Sequence, residues 1–288
     1  MIEPAPSSVD LHCHSTASDG LRTPAGLVSY AAERGVSVIG LCDHDSTNGV
    51  ADAVETGLRL GVEVIPGVEL SSEFEELQAH ILGYFIDPAS DSLQREFAWM
   101  NATRQSRIRQ ICANLNAAGI PIDPSDVLAL SDGGTIGRPH VARVLVANGY
   151  AESVSDAFAR YLTRGKPGYA QSEKITPECA IAAIERAGGV AVLAHPWSTK
   201  QPRAAVERLA PAGLAGVECY YGEYDTAVQN DLAALADEFG LLTTGGSDYH
   251  GEGVKSVDLG GVYVPPESVD KLRASANAVR ARLGMAPV

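Results

Sequence analysis

The chain has 288 residues, 45% of them apolar and 20% charged, and carries a formal net charge of −14. That length and composition suit one large α/β domain, or a domain with an insertion, around a sizeable core. The acidic balance argues against a general nucleic-acid surface, and no apolar run approaches the roughly 20 residues of a membrane span.

The opening residues MIEPAPSSVD lack a cationic stretch followed by an apolar one, so no signal peptide is expected. VDLH then reads as a strand, and TPAGLVSYAAERG as a helix with Thr23 capping, Pro24 in its first turn and Gly35 ending it. VSVIGLCDH is mostly apolar, the pattern of a strand buried on both faces of a parallel sheet. Helix NGVADAVETGLRLG and the strands VEVIPGVEL and QAHILGYFI follow.

Residues 87–167 break this rhythm. A long helical pattern ends at Gly119, and PSDVLALS, RPHVARVLVANG and VSDAFARYLTRG follow as shorter helices without intervening strands. The stretch holds nine Arg and Lys against eight Asp and Glu, so the acidic excess lies elsewhere. It reads as an all-helical insertion covering one end of an α/β body. Within it, Arg104, Arg107 and Arg109 read as a solvated helix face and Trp99 as core.

After residue 170 the alternation resumes. TPECAIAAIERAGG is a helix, VAVLAHP a strand, RAAVERLAP a helix, GVECYY a strand, TAVQNDLAALADEFG a helix and LLTTGGSDYH a strand. VYV at 262–264 reads as a short strand, and a helix from Glu267 to Leu283 closes the pattern. Repeated βα units of this size favour a barrel or a wound sheet. The expected division is therefore a barrel over 1–86 and 168–288 with a helical insertion over 87–167.

Five cysteines, Cys13, Cys42, Cys112, Cys179 and Cys219, are odd in number and form no CxxC pair, which predicts reduced thiols and a cytoplasmic setting. Cys13 and Cys42 stand beside candidate ligands, but zinc-finger spacing is absent and both read as packing residues.

Six of the seven histidines, His12, His14, His44, His80, His195 and His250, fall at strand ends or within a short strand. Asp19, Asp43, Asp45, Glu69 and Asp248 occupy similar positions. In βα architectures the C-terminal strand ends converge on one face. In HxH on a strand both imidazoles point the same way, so His12 and His14 can share an ion, and Asp248 and His250 repeat the spacing. Imidazole and carboxylate with almost no thiolate suit manganese, iron or zinc. So many candidate ligands exceed one tetrahedral site and suit two or three divalent ions. Glu218 in GVECYY sits at the right height to support these ligands from behind, although a structural role is the first reading.

VDLHCHSTASDG, LCDHDS, PGVEL, AHILGY, LAHP and GSDYH together resemble, in order, the motifs of the polymerase-and-histidinol-phosphatase (PHP) superfamily. The resemblance implies a distorted (β/α)7 TIM-like barrel with a trinuclear metal centre, manganese first and iron, zinc or magnesium as alternatives. It places His12, His14, Glu69 and Asp248 on one ion. Glu69 would bridge to a second ion completed by His80 and His195, and Asp19, His44 and His250 would hold a third. Some members carry histidine where Asp19 stands. GRPHVARVL and YLTRGKPGY look like segments of stand-alone members that act on nucleotides, including 3′,5′-bisphosphate nucleotidases and a 5′-to-3′ exoribonuclease.

The chemistry that follows is hydrolysis of a phosphate ester by hydroxide held between the ions. The substrate would be a small anionic nucleotide or a short oligonucleotide; the oligomeric state is left open. Arg138 and Lys166 are candidates for meeting charge on the phosphate oxygens, and His140 for protonating the leaving oxygen or binding a second phosphate. Trp99 and Trp197 could stack on a base, although Trp99, on a helix, reads first as core. A histidinol-phosphate-type or other small-molecule phosphatase is the alternative within the class. An amidohydrolase-like enzyme is disfavoured because no expected barrel strand ends in a bridging lysine, and a non-catalytic metal-binding module because the ligand set is full.

Overall fold

A computed structural model describes residues 8–75, 77–131, 136–171 and 173–288. β1 (Val9–Cys13), β2 (Val38–Leu41), β3 (Glu63–Phe74), β4 (Leu77–Tyr84), β5 (Val190–Leu193), β6 (Gly216–Tyr221) and β7 (Leu242–Gly246) form one seven-stranded sheet in sequential order. His14 N donates to Tyr249 O at 2.9 Å and Tyr249 N to His12 O at 3.3 Å, tying β1 to the segment after β7. The sheet thereby closes almost completely into a barrel.

Neighbouring strands run parallel except β4, which is antiparallel to both β3 and β5. Parallel steps need a crossover, usually a helix, whereas an antiparallel step does not. The chain follows that rule. α1 (Pro24–Glu33) and α2 (Val50–Leu60) link the first three strands, while β3 and β4 follow one another almost directly.

From β4 the chain enters α3 (Asp91–Ala117), α4 (Pro124–Leu128), α5 (Arg138–Ala147) and α6 (Val154–Ala157), which continues as a π-helical turn over Phe158–Leu162. α7 (Pro177–Arg186), α8 (Pro202–Leu209) and α9 (Thr226–Glu238) then precede β5, lie between β5 and β6, and precede β7, and α10 (Glu267–Leu283) follows the last strand. The capping read for α1 is present: Thr23 Oγ1 accepts from Gly26 N at 3.1 Å.

Val269, Leu272 and Ala276 of α10 pack with Leu11, Ile65, Leu82, Tyr84 and Val192, all buried. Leu27, Val28 and Ala31 of α1 pack with Val50 and Ala53 of α2 over Ile39 and Leu41. Residues 262–264 form no strand, contrary to the sequence pattern. Closure through β1 leaves β7 no free edge to extend, and Val264 is instead buried beside α10.

Two compact units are present, one running to Glu96 and resuming at Ile175, the other Phe97–Lys174. The second is helical around a core that includes Ile111, Leu115, Val127, Val141, Leu145 and Leu162. Trp99 is 40% exposed there rather than in the core. Arg107 is not purely solvated: its Nε donates to Ala170 O at 3.0 Å. No helix among the described residues is long and apolar enough to cross a membrane.

Candidate metal centre

The barrel carries its histidines on one set of strand ends. His12 lies in β1 and His14 just beyond it; His44 follows β2, His195 follows β5, and Asp248 and His250 follow β7. His80 reaches the same place from within antiparallel β4, where it pairs with Ser71. A strand running the other way presents its N-terminal half to that face. Glu69 does not end its strand, as the sequence pattern suggested. β3 runs on to Phe74 to pair with β4, which places Glu69 mid-strand.

The six imidazoles form a closed ring. Successive ring centroids from His250 to His14, His12, His195, His80, His44 and back lie 4.0, 5.1, 6.0, 5.1, 5.3 and 6.1 Å apart. Glu69, 1% exposed, is shared by five of them. Its Oε2 is 3.1 Å from His12 Nε2 and 3.3 Å from both His14 Nε2 and His44 Nδ1. Its Oε1 is 2.7 Å from His80 Nδ1 and 3.0 Å from His195 Nε2. Asp248 Oδ1 is 3.1 Å from His14 Nε2 and 3.5 Å from His12 Nε2. Asp19, at the rim, is 3.3 Å from His250 Nε2 and 3.9 Å from His44 Nε2.

Ligand atoms within 4.8 Å of one another fall into three groups: His12, His14, Glu69 and Asp248; His14, Asp19, His44 and His250; and His44, Glu69 and His80. All nine candidate ligands from the barrel therefore converge, with His195 on the Oε1 side of Glu69.

The donor set fits divalent cations on an independent ground. Both ring nitrogens of His14 and Nδ1 of His44 are buried without a hydrogen-bond partner. A buried polar group left unsatisfied costs about 1–3 kcal/mol, and a bound cation would relieve that cost at whichever ring nitrogen carries the lone pair. Protonation answers part of this demand, and unevenly. Burial opposes charge on His12 and His14, yet neighbouring carboxylates outweigh it, holding His12 well above its usual value and His14 at about 9. At His44 burial wins and the value falls to about 4. Burial would raise Glu69 and Asp248, but facing imidazoles hold both carboxylates well below their usual range. Protons and a metal cation thus compete for the same anionic frame.

Strain marks the same place. Asp45, His195 and Asp248 have φ of 48°, 28° and 55°, a region non-glycine residues rarely occupy. The seam is tight as well: a Cβ on Gly246 would lie 2.5 Å from His12 N. Buried Asp10 pins that seam by accepting from Ser247 N at 3.0 Å, Ser247 Oγ at 2.6 Å and Gly260 N at 2.8 Å.

Several acidic residues near the ring act as braces. Asp43 accepts from Ser15 N, Ser15 Oγ and Ser18 Oγ, each at 2.7 Å, fixing the loop that carries Asp19. Asp45 accepts from Ser71 N at 2.8 Å. Glu218, read as structural from sequence, is fully buried and braces two ring members. Its Oε1 lies 2.9 Å from His12 Nδ1, and its Oε2 accepts from His195 N at 2.7 Å. The register of β6 against β7 shifts between Glu218 and Tyr220. Cys13 and Cys42 are buried with their sulfurs toward Asp10 O and Leu11 O.

The ring lies against a cavity of ≈ 710 Å³, whose other walls include Trp197, Tyr221, Tyr224 and Lys255. Arg138, His140 and Lys166 belong to the helical unit. Arg138 starts α5, with its guanidinium 5.5 Å from the Phe158 ring centroid and Nη1 3.5 Å from Leu162 O. His140 Nδ1 accepts from Gly137 N at 3.2 Å, and burial pushes that imidazole's pKa down. Lys166 is exposed on the turn after Thr163.

A nearly closed barrel with imidazoles and carboxylates clustered at one set of strand ends, in groups able to hold metal ions, is the arrangement of a metal-dependent hydrolase. The sequence profile of the PHP domain matches residues 10–168. The 3′,5′-nucleoside bisphosphate phosphatase of Chromobacterium violaceum is 37% identical over 259 residues, covering 88% of this chain and 91% of its own. The 5′-3′ exoribonuclease Rnm of Salmonella typhimurium is 39% identical over 247 residues, 84% of each chain. A solved structure from Bifidobacterium adolescentis, assigned as a metal-dependent phosphoesterase, superposes with a TM-score of 0.78 at 33% identity over 94% of this chain and 97% of that one. The chain belongs to the PHP domain family, and it is a metal-dependent phosphoesterase.

Proposed function

We propose that the chain removes phosphate from small nucleotides, taking the 3′-phosphate of nucleoside 3′,5′-bisphosphates and extending to 5′-to-3′ trimming of short RNA. The observation that carries this reading is the ring of six imidazoles around Glu69, set in the wall of a cavity of nucleotide size. Its support is the company the ring keeps. Trp197, 47% exposed, and Tyr224 line the same cavity, and Tyr224 Oη accepts from Trp197 N at 2.9 Å. Aromatic faces beside an anion-binding centre suit a nucleoside better than a sugar phosphate.

Three divalent ions, manganese by preference with iron, zinc or magnesium as alternatives, would acidify a water and neutralise charge on the phosphate oxygens. The nine barrel ligands are His12, His14, Asp19, His44, Glu69, His80, His195, Asp248 and His250. Glu69 holds the anionic centre, Asp19 and His250 close the rim, and Glu218 fixes which ring nitrogen of His12 faces inward. Arg138 would grip phosphate with its two-pronged guanidinium, His140 would return a proton to the leaving oxygen, and Lys166 would add a point charge. The free cysteines suit a cytoplasmic setting.

The test is phosphate release from 3′-phosphoadenosine 5′-phosphate by protein reconstituted with manganese. Turnover at least about tenfold faster than for histidinol phosphate or a plain aryl phosphate is expected. Faster cleavage of either of those monoesters would remove the nucleotide reading while leaving the phosphoesterase class intact.

A further inference from the structure

Lys255 is the one cationic side chain lining the cavity among the described residues, where Asp19, Glu69, Glu223 and Asp248 supply four carboxylates. It sits in the loop after β7, with the side chain 28% exposed. Its Nζ lies 2.8 Å from Asp248 Oδ2 and 3.2 Å from Tyr221 Oη.

The two oxygens of Asp248 have different neighbours. Oδ1 faces His14 at 3.1 Å and His12 at 3.5 Å, inside the ring. Oδ2 is turned away and already accepts from the Tyr221 hydroxyl at 2.9 Å. Tyr221 is 5% exposed and belongs to β6, so its position is set by the sheet. Asp248 is therefore oriented by a rigid neutral donor before Lys255 is counted. An ammonium has three donors, and Asp248 and Tyr221 account for two. A half-buried lysine at the wall of an otherwise acidic cavity then has a purpose beyond holding Asp248.

We propose that Lys255 is a substrate-contacting residue, its ammonium binding a phosphoryl oxygen of the ester held over the imidazole ring, while Tyr221 is the positioning residue for Asp248. The proposal rests on the phosphoesterase reading of the site but not on which nucleotide is cleaved. A lysine contributes a compact point charge on a flexible stem, able to exchange a carboxylate neighbour for a phosphate oxygen. It supplies the barrel with its own cation for the charge that grows on the phosphoryl group. Tyr221 lacks charge and mobility and cannot do this.

The test uses the full chain loaded with manganese and inorganic phosphate as the probe. K255M, K255R and Y221F are compared with the parent for bound metal by elemental analysis, for phosphate affinity by titration calorimetry, and for KM against kcat. K255M is expected to keep the parent's metal content, to bind phosphate at least about tenfold more weakly and to raise KM. K255R should recover most of that loss, which shows that charge rather than folding is at issue. Y221F should lower metal retention while phosphate affinity per bound metal stays near the parent value. Phosphate affinity unchanged in K255M, or metal lost in step with it, would overturn the proposal by reducing Lys255 to a brace for Asp248. A parent that binds phosphate but ignores nucleotides strikes only at the nucleotide reading.

Discussion

Replacing Glu69 with glutamine is expected to empty the centre and to lower phosphoesterase turnover by about 10³-fold or more. One buried carboxylate touches five of the six ring imidazoles through its two oxygens. Two of the three groups of converging ligand atoms include it. The amide keeps the volume but removes the charge and puts an N–H donor toward at least one imidazole. Metal-derived charge stabilisation is worth several kcal/mol, and each 1.36 kcal/mol is a factor of ten. Elemental analysis and steady-state assays on the same preparation check the result. The hydrophobic clusters beneath the barrel do not involve Glu69, so the variant should fold. Full metal content with intact turnover in E69Q would remove Glu69 from its central place.

Glu218→Gln has the second-largest expected effect, a loss of about 10–100-fold in metal affinity, the range found when a residue supporting a ligand is changed. The carboxylate meets two demands at once, the His12 Nδ1–H and the His195 backbone N–H. With Nδ1 protonated, His12 Nε2 carries the lone pair that faces Glu69 and Asp248. Glutamine has a single acceptor oxygen and satisfies only one of the two. Chelator competition measures the change directly. Glu218 touches no atom of the ring's interior, so excess metal should restore turnover toward the parent level. Affinity equal to the parent's would make Glu218 a packing residue.

The barrel was legible because its signals are local. Apolar runs of strand length alternate with capped helical patterns, and the pairs His12–His14 and Asp248–His250 carry the period of an extended strand. α10 fell where the pattern put it, from Glu267 to Leu283. Convergence of distant ligands followed from the rule that strand ends share a face, helped at His80 by a strand of opposite direction.

What escaped the sequence depends on three-dimensional neighbours. Glu218 sits in an apolar strand at a height that allows a supporting role, but which groups it supports, His12 and His195, depends on the folded neighbours. Tyr221 and Lys255 are separated by 34 positions and meet at Asp248 through a turn-rich loop without a pattern to read. Residues 262–264 have strand-like composition but no sheet edge to join. Trp99 shows the same dependence from the other side: an aromatic in a helix was read as core, yet the helical unit leaves it 40% exposed.

Anomalous diffraction from crystals of protein purified without chelator tests the central claim most directly. The account predicts transition-metal peaks inside the imidazole ring, one bounded by His12, His14, Glu69 and Asp248, one beside His80 on the Oε1 side of Glu69, and one between Asp19, His44 and His250. A ring that binds no ion at saturating manganese, iron or zinc, or ions found only elsewhere on the molecule, would contradict it.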